Sequence, residues 1–132
     1  MFRIVYVSTT VEPFSEDGLR ELLKVARSNN AAAGVTGMLV YSRGQFLQAL
    51  EGEPSAVIGT FDRIKADRRH TDVNTLQRSL HADQWFGNWA MGFHSEDRAE
   101  GQVSVNERIR LDSLDGLSAI DFLRACSRSQ TG

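Results

Sequence analysis

Cysteine is nearly absent from this chain: Cys126 is the only one among 132 residues. A lone thiol cannot close an internal disulfide, and such a composition suits a reducing compartment. An excess of charge is missing too, with 15 Lys and Arg against 17 Asp and Glu and a formal net charge of −2. No basic field stands ready for a phosphate backbone, which argues against nucleic acid as a partner. Long apolar runs are also lacking, and nothing approaches the ~20 residues that span a bilayer. Met1 leads straight into Phe2-Arg3-Ile4-Val5-Tyr6-Val7, without the charged leader and small-residue cleavage site of a secretory signal. Repeats and low-complexity tracts are absent. The expectation is one cytoplasmic domain, long enough to bury a real core and not bound to a membrane.

What is present begins with Gln48. It interrupts Phe46-Leu47-Gln48-Ala49-Leu50, a run that otherwise has the composition of a fully buried strand. The strand period of two puts Gln48 on one face with Phe46 and Leu50. An amide there must satisfy an oxygen and two N–H donors, at a cost of roughly 1–3 kcal/mol for each unmet group. Backbone groups could serve, or a polar ligand held inside the domain. Other polar residues at inward positions decide between the two.

Around that strand the sequence alternates strand and helix. Residues 2–9 are β-branched and aromatic, which predicts a first strand. Ser15 is a predicted N-cap followed by acidic Glu16-Asp17, and Leu19, Leu22, Leu23 and Ala26 recur at helical spacing to Asn29-Asn30, where the helix is expected to end. Strands follow at 35–42 and 45–51, joined by the Arg43-Gly44 turn. A second helix opens at Gly52-Glu53-Pro54-Ser55, buries Val57, Phe61 and Ile64, and carries Arg68, Arg69 and His70 in its last turn. Residues 73–80 predict a fourth strand, 89–93 a fifth, and 114–127 a terminal helix.

This order is α+β: the ferredoxin-like βαββαβ sandwich with an added fifth strand. Right-handed crossovers put both helices on one sheet face. The first and third strands are expected to be central neighbours and parallel. Tyr6 shares parity with Phe2 and Ile4, so it and Gln48 would meet beneath the helices, with Asn30 opening toward the same interior. Polar groups converging on a mostly apolar cavity are the usual sign of a small-ligand site.

Taken in order, these residues resemble a known family. Tyr6 with Ser8, Asn30 before Gly34-Val35-Thr36-Gly37-Met38-Leu39, Tyr41, the Gly44 turn, Phe46 to Gly52, Ile64, Asp67-Arg68-Arg69-His70 and Trp89-Ala90-Met91 are similar to the BLUF domain, the blue-light sensor that uses flavin. The resemblance covers roughly residues 1–95, leaving 96–132 as a C-terminal helical extension on the other sheet face rather than a separate domain. It implies FAD as cofactor, with FMN or riboflavin as substitutes, lying between the two helices. It further implies that Tyr6 donates an electron and a proton to the excited flavin, and that Gln48 bridges Tyr6 and the ring. Asn30 would hold the ring's polar edge, and Arg63 and Asp67, at second-helix positions, would lie near it or its tail. Asn29, Arg69 and His70 would be further contributors near flavin or phosphate. Trp89 and Met91 would exchange places near Gln48 as the signal proceeds, Met91 also touching the cofactor.

Taken singly, these residues also have ordinary structural readings. Trp89, Met91 and Phe93 alternate as a core strand does. Arg68-Arg69-His70 alone is a solvated helix end, and Cys126 reads as packing. His81 and His94 have no metal-ligand partners at useful spacing, and no metal is expected. Gly34 and Gly37 lack the Lys and Ser/Thr of a phosphate-cradling loop. The function implied is a non-enzymatic photoreceptor, a homo-oligomer (a dimer or a larger ring) that signals to an unidentified effector protein. The competing readings are a small flavin-dependent enzyme and a ligand-binding regulatory module on the same fold.

Overall fold

The computed structural model describes residues 1–81, 83–86, 91–95 and 116–127. They form β1 (Phe2–Thr10), α1 (Glu16–Ala33), β2 (Thr36–Ser42), β3 (Gln45–Gly52), α2 (Pro54–Lys65), β4 (His70–Leu80), β5 (Gly92–Ser95) and α3 (Gly116–Ser127). One sheet takes the order β4-β1-β3-β2-β5. No helix among the described residues is long and apolar enough to cross a membrane.

β1 and β3 are neighbours as expected, yet they run antiparallel, Phe2 lying opposite Gly52 and Thr9 opposite Gln45. The expected parallel pairing is therefore wrong. A crossover helix returns the chain parallel to the strand it left, so β1 and β2 share a direction. The β2–β3 hairpin then sends β3 back between them, antiparallel to both. Its two-residue turn has positive φ at Arg43 (53°) and Gly44 (74°), the pair of left-handed residues that a tight hairpin requires.

Side chains of the central strands alternate between two buried faces. Ile4, Tyr6, Leu39, Tyr41, Phe46 and Leu50 point to one face, where Leu19 and Leu23 of α1 and Val57 and Phe61 of α2 cover them. Val5, Val7, Met38, Val40, Leu47 and Ala49 point to the other, beneath Ala119, Ile120 and Leu123 of α3. Because both faces are covered, every residue of β3 is buried, and its sequence reads as an unbroken run rather than an alternation. Gly37 admits no side chain, since an added Cβ would lie 2.1 Å from the Ala49 carbonyl oxygen.

Several element ends differ from the expectation. Asn29 and Asn30 do not end α1. The strong helix formers Ala31-Ala32-Ala33 extend it, and Gly34, at φ 72°, supplies the left-handed cap. Ser15 caps the other end, its Oγ accepting from the Gly18 N–H at 3.0 Å. α2 stops at Lys65, so Arg68, Arg69 and His70 are not its last turn, and Asp67 is not on the helix. The Asp67 carboxylate accepts from the Arg69 N–H at 2.9 Å, folding the chain out of the helix and into β4. β4 starts at His70 rather than 73, and β5 is described over Gly92–Ser95, the expected start at 89 lying outside the described residues.

The α3 face holds a buried ion pair. Arg3 Nη2 lies 2.7 Å from Glu51 Oε2, and both side chains are fully buried. Glu51 also accepts from the Trp85 N–H at 3.0 Å and the Phe86 N–H at 2.6 Å. The Arg3 guanidinium donates to the Asp83 carbonyl at 2.9 Å and stacks 4.1 Å above the Trp85 ring. That ring meets Arg124 of α3 at 4.3 Å. One buried carboxylate thus fastens Trp85 and Phe86 to β1 and β3, and the Trp85 ring carries the contact on to α3.

Candidate functional site

The site lies between α1 and α2 over β1 and β3. Cross-strand register alone sets Tyr6 opposite Gln48, and both are buried on the helix-covered face. The Tyr6 hydroxyl donates a short hydrogen bond to Gln48 Oε1. Gln48 Nε2 donates to the Met91 Sδ at 3.4 Å. The amide therefore spans a phenol on one side and a thioether on the other, and a thioether is only a weak acceptor. Met91 is itself buried, and its carbonyl accepts from Arg27 Nε of α1 at 3.0 Å.

Burial, aided by the negative charge of Asp67, pushes the Tyr6 phenol well above its ordinary value of 10.0, so it stays neutral. Asp67 moves the other way. The Arg69 hydrogen bond holds its carboxyl below the usual carboxylate value of 3.8, against partial burial. Arg69 grips it through Nε at 3.0 Å and Nη2 at 2.5 Å. His70 bridges α2 and β1: its Nε2 donates to the Ile64 carbonyl at 2.6 Å. That carbonyl can only accept, so in the neutral ring Nδ1 bears no hydrogen and accepts from the buried Ser8 hydroxyl at 2.8 Å.

Two adjoining clefts open here. One, of about 480 Å³ including its open mouth, is bounded by Tyr6, Leu22, Ala26, Gln48, Ile64 and His70 among others. The other, of about 560 Å³ on the same basis, adds Asn29, Asn30, Thr60 and Arg63. Gln48, Asp67 and Arg69 line both. Apolar walls from two helices with amide and carboxylate groups at the edge suit a flat heteroaromatic ring. The Thr60 hydroxyl is a buried polar atom without a partner among the described residues, which fits a site built for a polar ligand. Asn30 is buried, whereas Asn29, Arg63 and Arg69 are exposed at the cleft's edge. Trp89 lies outside the described residues, and Met91 is the described member of that pair. Thr60 was not singled out from the sequence. Its spacing from Arg63 and Ile64 put it on their helix face, but a threonine among apolar residues gave no separate signal.

Comparison with known proteins agrees with this arrangement. Residues 1–92 match the family model described as BLUF, sensors of blue light using FAD, and the chain belongs to that family. The photoactivated adenylate cyclase subunit beta of Euglena gracilis is 36% identical over 87 residues, which is 62% of this chain and 10% of that protein. The chain spans about a tenth of the length of such curated relatives. Among solved structures, a bacterial light-regulated adenylyl cyclase superposes with TM-score 0.73 at 31% identity, over 80% of this chain and 31% of that one. BlsA in its photo-activated state gives TM-score 0.83 at 25% identity, over 99% of this chain and 97% of its own.

Proposed function

We propose that the protein is a blue-light photoreceptor that converts absorption by FAD into a changed hydrogen-bond pattern at Gln48 and passes this to a separate effector protein. The observation that carries this reading is the buried chain from the Tyr6 hydroxyl through the Gln48 amide to the Met91 sulfur. Bound FAD supplies the blue absorption and the redox step; the protein supplies position and hydrogen bonds.

Tyr6 is neutral and aimed at Gln48 Oε1, so its proton has a ready acceptor when it loses an electron. Gln48 has an acceptor at one end and donors at the other, and rotation or tautomerisation reverses that pattern. Rotation would set its carbonyl oxygen against Met91 Sδ, where neither atom bears a hydrogen, and Met91 would lose its bond. A change at Gln48 thereby becomes a change in the segment entering β5, where Trp89 and Met91 are the proposed relay. Asn30 and Asn29 would hold the cofactor from the α1 side, and Arg63, Asp67, Arg69 and His70 from the α2 side. FMN or riboflavin would serve in place of FAD.

In this reading residues 1–95 sense light and 96–132 form an extension, not a second domain, that carries output through α3. The protein acts in the cytoplasm as a homo-oligomer and is a sensor rather than an enzyme. Difference absorption spectroscopy tests it: purified protein should be yellow and show a reversible red shift of the flavin band under blue light. Gln48→Leu should keep the colour and lose the shift. Tyr6→Phe should do likewise, with longer-lived flavin fluorescence. A normal photocycle in either variant, or a colourless protein that fails to take up flavin, refutes the assignment.

A further inference from the structure

Thr60 sits on the inner side of α2, with 4% of its surface exposed. Its Oγ1 has no hydrogen-bond partner among the described residues. A threonine inside a helix usually bonds the carbonyl four residues back. Here that would be Ala56, and Thr60 does not use it. A buried hydroxyl left unpaired is destabilising, so such groups in folded proteins are rare without a reason. The neighbours supply one. Thr60 lines the same cleft as Asn30, Gln48 and Arg63. Arg63 and Ile64 follow it on α2 at three and four residues, and those spacings stay on one helix face. Valine has the same shape and β-branching, and would suit the packing beside Val57 and Phe61 without the unpaired oxygen.

We propose that Thr60 is a cofactor-positioning residue: its hydroxyl pairs with the polar edge of bound FAD and fixes how deeply the ring enters between α1 and α2. The inference rests on the FAD reading above. The hydroxyl is then a defect of the empty protein and an asset of the loaded one, and these two effects have opposite signs.

The test is Thr60→Val, with Thr60→Ser as the conservative control, each stripped of flavin and titrated with FAD. Thr60→Val should melt at or above the wild-type temperature without flavin, yet bind FAD about tenfold more weakly, the equivalent of one net hydrogen bond. Its dark flavin band should move, and Thr60→Ser should recover most of the affinity. Unchanged FAD affinity in Thr60→Val overturns the proposal, as does a lower melting temperature of the flavin-free variant. A wild-type protein that takes up no FAD overturns the function reading itself, so the two failures are told apart.

Discussion

Glu51→Gln is the sharpest stability test of this fold. The carboxylate is fully buried and faces only donors: Arg3, the Trp85 N–H and the Phe86 N–H. Glutamine preserves the shape but replaces one oxygen with an amino group. Turned toward Arg3, that group opposes a guanidinium and the Trp85 N–H; turned away, it opposes the Phe86 N–H. Either way a buried donor is stranded, and Arg3 keeps a charge with no counterion. Breaking one side of a buried pair costs about 3–5 kcal/mol. For a domain of this size that amounts to a fall of about 10–20 °C in Tm. Arg3→Met should cost less, because it opposes no donor and leaves Glu51 with two backbone N–H groups. Thermal melts followed by far-ultraviolet circular dichroism measure both. A loss below about 1 kcal/mol for Glu51→Gln, or a larger loss for Arg3→Met, would refute the buried-carboxylate account.

Three further outcomes follow from the geometry. Gly37→Ala should lower the urea midpoint by the equivalent of about 1–3 kcal/mol, the usual scale of overpacking, because the new methyl meets the Ala49 carbonyl on the paired strand; a wild-type midpoint contradicts that contact. The Tyr6 phenol is raised by burial, so its contribution to stability is fully present below the ordinary value of 10.0 and is lost as pH rises through the folded value. Alkaline melts should therefore show a decline that Tyr6→Phe lacks, and parallel curves would place the phenol in water. Asp67 is depressed by Arg69, so the support it gives exists above the ordinary carboxylate value and fades as pH falls through the lower folded one. Arg69→Gln should raise the Asp67 pKa in a carboxylate NMR titration; an unmoved value means Arg69 does not hold it.

Legibility in the sequence tracked how local each cause is. Tyr6 and Gln48 could be paired because strand parity and element order are short-range facts, and their cross-strand contact follows from both. Strand direction was missed for a different reason: periodicity says which face a residue occupies, not which way its strand runs. Direction comes from the crossover, and following the chain through α1 and back along the hairpin leaves β3 antiparallel to β1. The end of α1 was misread because Asn29-Asn30 carries a stop signal that the alanines after it override. The turn after α2 hid in an Asp67 side chain capping its own backbone, which no hydrophobic pattern records.

The least legible feature is the Arg3–Glu51 pair, and its position shows why. Each is a single charged residue in an otherwise apolar strand, the pattern expected of an exposed edge when the opposite sheet face is open. They are buried because α3 and residues 83–86 cover that face. Gln48 and Glu51 are three residues apart on β3, so strand alternation sends them to opposite faces. Gln48 reaches Met91 across the cleft side, and Glu51 holds the backbone of Trp85 and Phe86 on the α3 side. A single strand therefore holds Met91 on one face and the backbone of Trp85 and Phe86 on the other. A purely apolar strand could bury as much surface, but it could not hold these three residues by hydrogen bonds on both faces of the sheet at once.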